Sequence, residues 1–211
     1  MGNSFRQGEH ICALYETEAE QLGVAAEYLA AGLRAGERAF YVADSDAALS
    51  RFRAVLNREG INVPTMVKRG AIVGATHGEA HLAGGSFSSE RMLRLLNEAL
   101  ETALKDGFTG LRACGDMSWL LTEPEGADQV IEYESLLNQF FNRVHGAGMC
   151  QYDLRRLPPH LIEGALATHT SVVVNRNHKS NRFYRPQSIT VSRVSKPSDV
   201  SWKLTALRER L

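Results

Sequence analysis

No stretch of this chain approaches the roughly 20 apolar residues needed to span a bilayer, and the opening MGNSFRQGEH lacks the apolar core of a signal peptide. Gly2 invites a myristoylation pattern, but Arg6 stands where that pattern needs serine or threonine. Charge of one sign is not in excess either. The 24 Lys and Arg balance 24 Asp and Glu, so long-range attraction to nucleic acid or anionic lipid has no source. Cysteine is scarce: three residues, an odd number and widely spaced, suit reduced thiols better than a disulfide framework. The expectation is a soluble cytoplasmic α/β domain with no membrane partner and no direct nucleic-acid partner.

Several chemical motifs are missing as well. Phosphate binding at a strand-to-helix corner needs glycines that let backbone N–H groups converge, with a lysine at the helix start. The first such corner, "HICALYETEAEQ" from His10 to Gln21, contains neither, and Glu16, Glu18 and Glu20 would repel phosphate. No G-x-x-x-x-G-K-[ST] or G-x-G-x-x-G occurs elsewhere, which disfavours ATP hydrolysis. There is no G-x-S-x-G nucleophile elbow and no C-x-x-C. His77 and His81 in "HGEAH" would face one metal only on a helix, and the glycines around them argue for a loop. A cluster of Cys12, Cys114 and Cys150 with His10 and His169 is conceivable, but lone strand cysteines usually serve as small buried hydrophobes. No metal or cofactor is assigned.

What is present is a regular alternation of strands and helices. Thr17 and Glu20 have capping-box spacing, ahead of a helix carrying Leu22, Ala25, Ala26, Leu29 and Leu33 on one stripe. "RAFYVAD" predicts a buried strand, and Asp44 or Ser45 caps a second helix with Leu49, Phe52, Val55 and Leu56 inward. A strand at "GAIVGAT" is expected after a less regular stretch, Ser88 opens a third helix, and "TGLRACGDMSW" ends a strand in a polar corner. A long helix from about Asp128 to Val144, the strand "GMCQYD", a short helix at Pro158 and Pro159, and the strand "SVVVN" complete the pattern. βαβ spacing throughout predicts a three-layer α/β fold, a mainly parallel sheet with helices on both faces. From Asn175 the chain turns polar and basic, a solvated linker in preference to a nucleic-acid patch. "SITVSRV" suggests an edge strand, and a helix begins near Ser198. That helix either docks on the core or leads to another domain or a helical dimer.

Ligands of open parallel sheets bind beyond the carboxyl ends of the strands. The candidates there are Cys12, Tyr15, Asp44, Arg112, Cys114, Asp116, Trp119, Cys150, Gln151, Tyr152, Asp153 and Asn175. Aromatics form an apolar wall in this reading, and Arg112, Asp116, Gln151 and Asp153 orient a ligand. Glu134, on the long helix, is either a buried partner for Arg112 or a solvated residue.

Six segments in register, "GEHICALYETEAEQ", "EYLAAGLRAGERAFYVAD", "LRACGDMSWLL", "EYESLLN", "MCQYDLRRLPPHLIEGALATH" and "RPQ", resemble the MEDS domain, a sensory domain of methanogens, methylotrophs and DcmR-type regulators. The resemblance covers about residues 8–186. It implies a divergent KaiC/RecA-like fold without the Walker A loop, with "LRACGD" where the Walker-B strand would lie. It also implies sensing of small hydrocarbon-like compounds. The family pattern falls on His10, Tyr15, Arg112, Gly115, Asp116, Trp119, Glu134, Cys150, Tyr152, Asp153, His169, Asn175 and Tyr184. The combined expectation is a non-catalytic sensory domain at 1–186 and a tail or linker at 187–211. Its ligand-binding residues are His10, Cys12, Tyr15, Arg112, Asp116, Trp119, Glu134, Cys150, Tyr152, Asp153 and His169. The implied partners are a small molecule and a histidine kinase, an anti-sigma or STAS module, or a transcription regulator, with a homodimer as one assembly. The rival is a KaiC-like ATPase or phosphotransferase with an atypical loop.

Overall fold

The computed structural model describes residues 5–186 and 200–208. Seven strands form one sheet in the order β3-β2-β4-β5-β1-β6-β7. They are β1 (His10–Tyr15), β2 (Arg38–Ala43), β3 (Ile72–Thr76), β4 (Leu111–Asp116), β5 (Gly146–Asp153), β6 (Ser171–Val174) and β7 (Asn177–Ser180). All pairings are parallel except β6–β7. The helices are α1 (Glu18–Arg34), α2 (Asp46–Arg58), α3 (Val63–Lys68), α4 (Ser89–Lys105), α5 (Val130–Phe141), α6 (Pro159–Thr168) and α7 (Ser201–Arg208). The expected three-layer α/β architecture is the one observed.

The helix starts follow the local chemistry. The Thr17 hydroxyl accepts from the Glu20 amide at 3.2 Å, and the Glu20 carboxylate reaches back to the Glu16 amide at 2.9 Å, one residue before the cap. Ser45, rather than Asp44, caps α2, and Ser88 caps α4. Side chains of α1 and α2 bury one face of the sheet against Ile11, Ala13, Tyr41, Cys114 and Met149. The opposite face, with Cys12, Leu14, Val42, Cys150 and Tyr152, is covered by α4, α5 and α6. Residues beside one another in register share a face, so Cys12 and Cys150 lie together while Cys114, paired with Met149, points the other way.

Two elements depart from the sequence reading. The less regular stretch holds α3, started by Asn62 and Pro64. The supposed linker after β6 instead turns back as β7. Asn175 and Arg176, both at left-handed φ (49° and 62°), make the two-residue turn that suits a tight hairpin. Asn175 is therefore a turn residue and not a strand-end ligand group. "SITVSRV" lies outside the described residues. Helix α7 docks on the domain: Val200 and Leu207 join the core over α6, Lys203 pairs with Glu163, and Arg208 reaches Glu16 at 2.5 Å.

Close packing at the centre of the sheet depends on Gly148. A Cβ there would overlap the buried Phe141 ring, whose Cζ lies 2.6 Å from the position it would take. Gly148→Ala should destabilise the domain by about 1–3 kcal/mol, the usual cost of overpacking. Urea unfolding would show this as a lower midpoint with an unchanged slope.

Candidate functional site

The strand ends and the sheet interior hold two separate constellations. At the carboxyl edge, Tyr15 ends β1, Asp116 ends β4 and Asp153 ends β5, with Asp44 just past β2. Together with Tyr41, Leu22 and Ser118 they line a cavity of about 210 Å³. Arg51, Arg155, Arg156 and Glu18 line it as well, with Arg51 paired to Glu18 at 2.7 Å. This is the crevice where the chain reverses its direction of travel across the sheet, since α1 and α6 leave the neighbouring strands β1 and β5 on opposite faces. Asp116 is its organising group. Its carboxylate accepts from the Ser118 amide at 3.0 Å and the Ser118 hydroxyl at 2.8 Å, and the Tyr15 hydroxyl lies 3.5 Å away. Burial pushes the Asp116 carboxyl up, with the nearby His77 imidazole and the Ser118 donors pulling against it. Burial also raises the Tyr15 phenol, and the two carboxylates beside it add to the effect.

The second constellation lies between the sheet and α5 and α6, out of contact with water. Glu134, on the inner face of α5, is fully buried. Its Oε1 accepts from the Tyr152 hydroxyl at 2.7 Å. Its Oε2 lies 3.1 Å from His10 Nε2 and 3.2 Å from His169 Nε2. Cys150 Sγ is 3.5 Å from His10 Nε2. His10 comes from the first position of β1, Cys150 from the middle of β5, and His169 from the residue that ends α6. Burial alone would raise the Glu134 carboxyl, but the two imidazoles hold it well below the usual carboxylate range. Burial lowers His10 to about 4, helped by the neighbouring His169. Burial and the adjacent Glu134 carboxylate push the Cys150 thiol up.

The structure thus sorts the residues singled out from the sequence. Tyr15, Asp116 and Asp153 meet at the edge cavity. His10, Glu134, Cys150, Tyr152 and His169 meet in the interior. Arg112 belongs to neither: it sits on the other face of the sheet, ion-paired to Glu37 with its guanidinium over the Tyr28 ring. It is not the partner of Glu134. Trp119 is stacked between Phe87 and His81, ring centroids 4.6 and 5.4 Å away, and is absent from the cavity lining. Cys12 is fully buried beside Cys150 in register, while Cys114 faces away, so no three-cysteine cluster forms. His77 and His81 lie on turns, not on a helix, and His77 Nε2 meets the Asp116 carbonyl at 3.0 Å.

One residue of the interior site escaped the sequence reading. Asn138 Oδ1 faces His10 Nδ1 at 3.3 Å, and its amide nitrogen donates to the Thr168 carbonyl. Its spacing from Glu134 in "YESLLN", one helical turn, was the available signal. Replacing Tyr152 by Phe removes the donor to Glu134 Oε1 and leaves a buried carboxylate short of a bond. We expect a loss of about 1–3 kcal/mol in urea-unfolding stability without a change of fold.

The transcriptional repressor DcmR of Methylorubrum extorquens is 29% identical over 162 residues, 76% of this chain and 58% of that protein. The chain therefore spans little more than half of that relative's length. A KaiC-like protein from Pyrococcus horikoshii has a similar structure, with a TM-score of 0.57 at 15% identity over 80% of this chain and 71% of that one; this likeness concerns the fold alone. Residues 9–170 match the model of the methanogen/methylotroph, DcmR sensory domain. The chain belongs to the MEDS family of sensory domains.

Proposed function

We propose that this is a non-catalytic regulatory domain that binds a small, partly apolar molecule in the carboxyl-edge cavity and passes the event to a signalling or transcription partner. The observation that carries the reading is the content of that cavity. In this fold the crevice is where a phosphate would sit, yet here the corner has neither the glycines nor the lysine for it, and Tyr15, Tyr41 and Leu22 line it beside Glu18, Asp44, Asp116, Asp153, Arg51, Arg155 and Arg156. With no phosphate cradle and four carboxylates against three arginines, such a lining disfavours a triphosphate and favours a compact ligand whose polar groups pair with these side chains around an apolar body. The glutamates of the first corner serve the helix instead. Family membership and the likeness to a repressor support a regulatory role.

A route to a partner is built into the same corner. Tyr15 lines the cavity, and the next residue, Glu16, holds Arg208 of α7. A ligand that favours one setting of Tyr15 biases the seat of α7, provided it binds the two settings with different affinity. The partner then reads the C-terminal segment. A two-component kinase, an anti-sigma or STAS module, or a DNA-binding regulator fits that output equally.

The test is differential scanning fluorimetry against a panel of small alcohols, amines and halogenated alkanes, with magnesium ATP as the rival ligand. At a hundredfold excess over Kd, binding contributes about 2.7 kcal/mol, which raises Tm by roughly 5–10 °C in a domain of this size. We expect such a shift for at least one panel compound, abolished in Asp116→Asn. A magnesium-dependent shift with ATP, or no shift with any panel compound, overturns the reading.

A further inference from the structure

We propose that His10, Glu134, Cys150 and His169 form a closed, four-coordinate site for a divalent transition metal of the zinc class. This site is separate from the carboxyl-edge cavity and stands whether or not that cavity takes a ligand.

The hydrogen bonds around the cluster decide where its lone pairs point. His169 Nδ1 lies 2.8 Å from the Ala165 carbonyl, which only accepts, so this nitrogen carries the proton. The amide nitrogen of Asn138 is committed to the carbonyls of Thr168 and Glu134, which turns its oxygen toward His10 Nδ1. That nitrogen is therefore protonated too. Both imidazoles consequently direct Nε2 lone pairs inward, onto the same carboxylate oxygen that Tyr152 leaves unserved. Glu134 Oε2 and His169 Nε2 are buried without a hydrogen-bond partner. Three acceptors thus converge with the Cys150 thiol as their lone proton source. A metal ion resolves this crowding of lone pairs.

The spacing lies within small side-chain shifts of tetrahedral geometry. Ligand atoms arranged tetrahedrally at the usual zinc distances of about 2.0–2.3 Å lie roughly 3.3–3.8 Å from one another. Here the close pairs measure 3.1, 3.2 and 3.5 Å, and all four donor atoms fall within 4.8 Å of one another. Two imidazoles, a thiolate and a carboxylate suit zinc, and cobalt(II) as its spectroscopic stand-in. Each imidazole has the outer partner typical of a metal-bound histidine: Asn138 for His10 and the Ala165 carbonyl for His169. Four protein donors leave no open position, so the ion is structural. It ties β1, β5, α5 and the end of α6 into one unit. On binding, the Cys150 proton leaves to solvent and the thiolate becomes the ligand.

The experiment refolds the full chain after denaturation with a chelator, with and without one equivalent of Zn²⁺ or Co²⁺. We expect one ion per chain by elemental analysis and a higher Tm in the loaded protein. The cobalt form should show the strong visible bands of four-coordinate Co²⁺ and a thiolate-to-metal charge-transfer band. Cys150→Ser should abolish the charge-transfer band and weaken binding at least tenfold; Asn138→Ala should weaken it about 10–100-fold while keeping the band. A chain that refolds to its native circular dichroism yet takes up no metal overturns the proposal. So does a charge-transfer band that survives in Cys150→Ser.

Discussion

The carboxylate of Glu134 lies in the interior of the protein with no access to water, and this constrains everything around it. A buried charge is tolerated only where paired and hydrogen-bonded groups replace its hydration. Tyr152 from β5 serves one of its oxygens, while His10 from β1 and His169 from the end of α6 converge on the other, the oxygen that the proposed metal ion would neutralise. Their convergence fixes how α5 and α6 sit on the sheet. Gly148 lets Phe141 of α5 lie flat on β5, which brings Glu134 down to the level of the strands. The glycine and the polar cluster are two halves of one packing solution.

The same fold carries a polar cavity at its carboxyl edge and a donor cluster in its interior, and the two answer different demands. The edge cavity is built largely from residues at the strand ends and the loops that follow them. The interior cluster is built from residues whose neighbours are all committed, so any change there is felt as stability. Between them runs the strand β1, with His10 at its first position and Tyr15 at its last. Glu16 then contacts α7 through Arg208.

The legibility of the sequence followed the range of the interactions. Caps at Thr17, Ser45 and Ser88, apolar stripes and glycine stops are local, and they led to the correct elements for α1, α2 and α4. The hairpin after β6 was missed because its strand, Asn177–Ser180, is polar and partly exposed, so it carries no hydrophobic alternation to announce it. Helix α3 is only six residues long, too short to show a period.

By itself the sequence determined the α/β class, the absence of a phosphate-loop motif and the polar strand ends, since each depends on residues adjacent in the chain. Which side chains meet was decided by strand order and pleat. Cys114 and Cys150 look alike in sequence, yet a single step in register puts them on opposite faces. Arg112 and Glu134, plausible partners on paper, are separated by the sheet itself. His10, Glu134, Cys150 and His169 come together only because β1 is inserted beside β5 and α5 and α6 cover the same face, a long-range arrangement that no local pattern encodes.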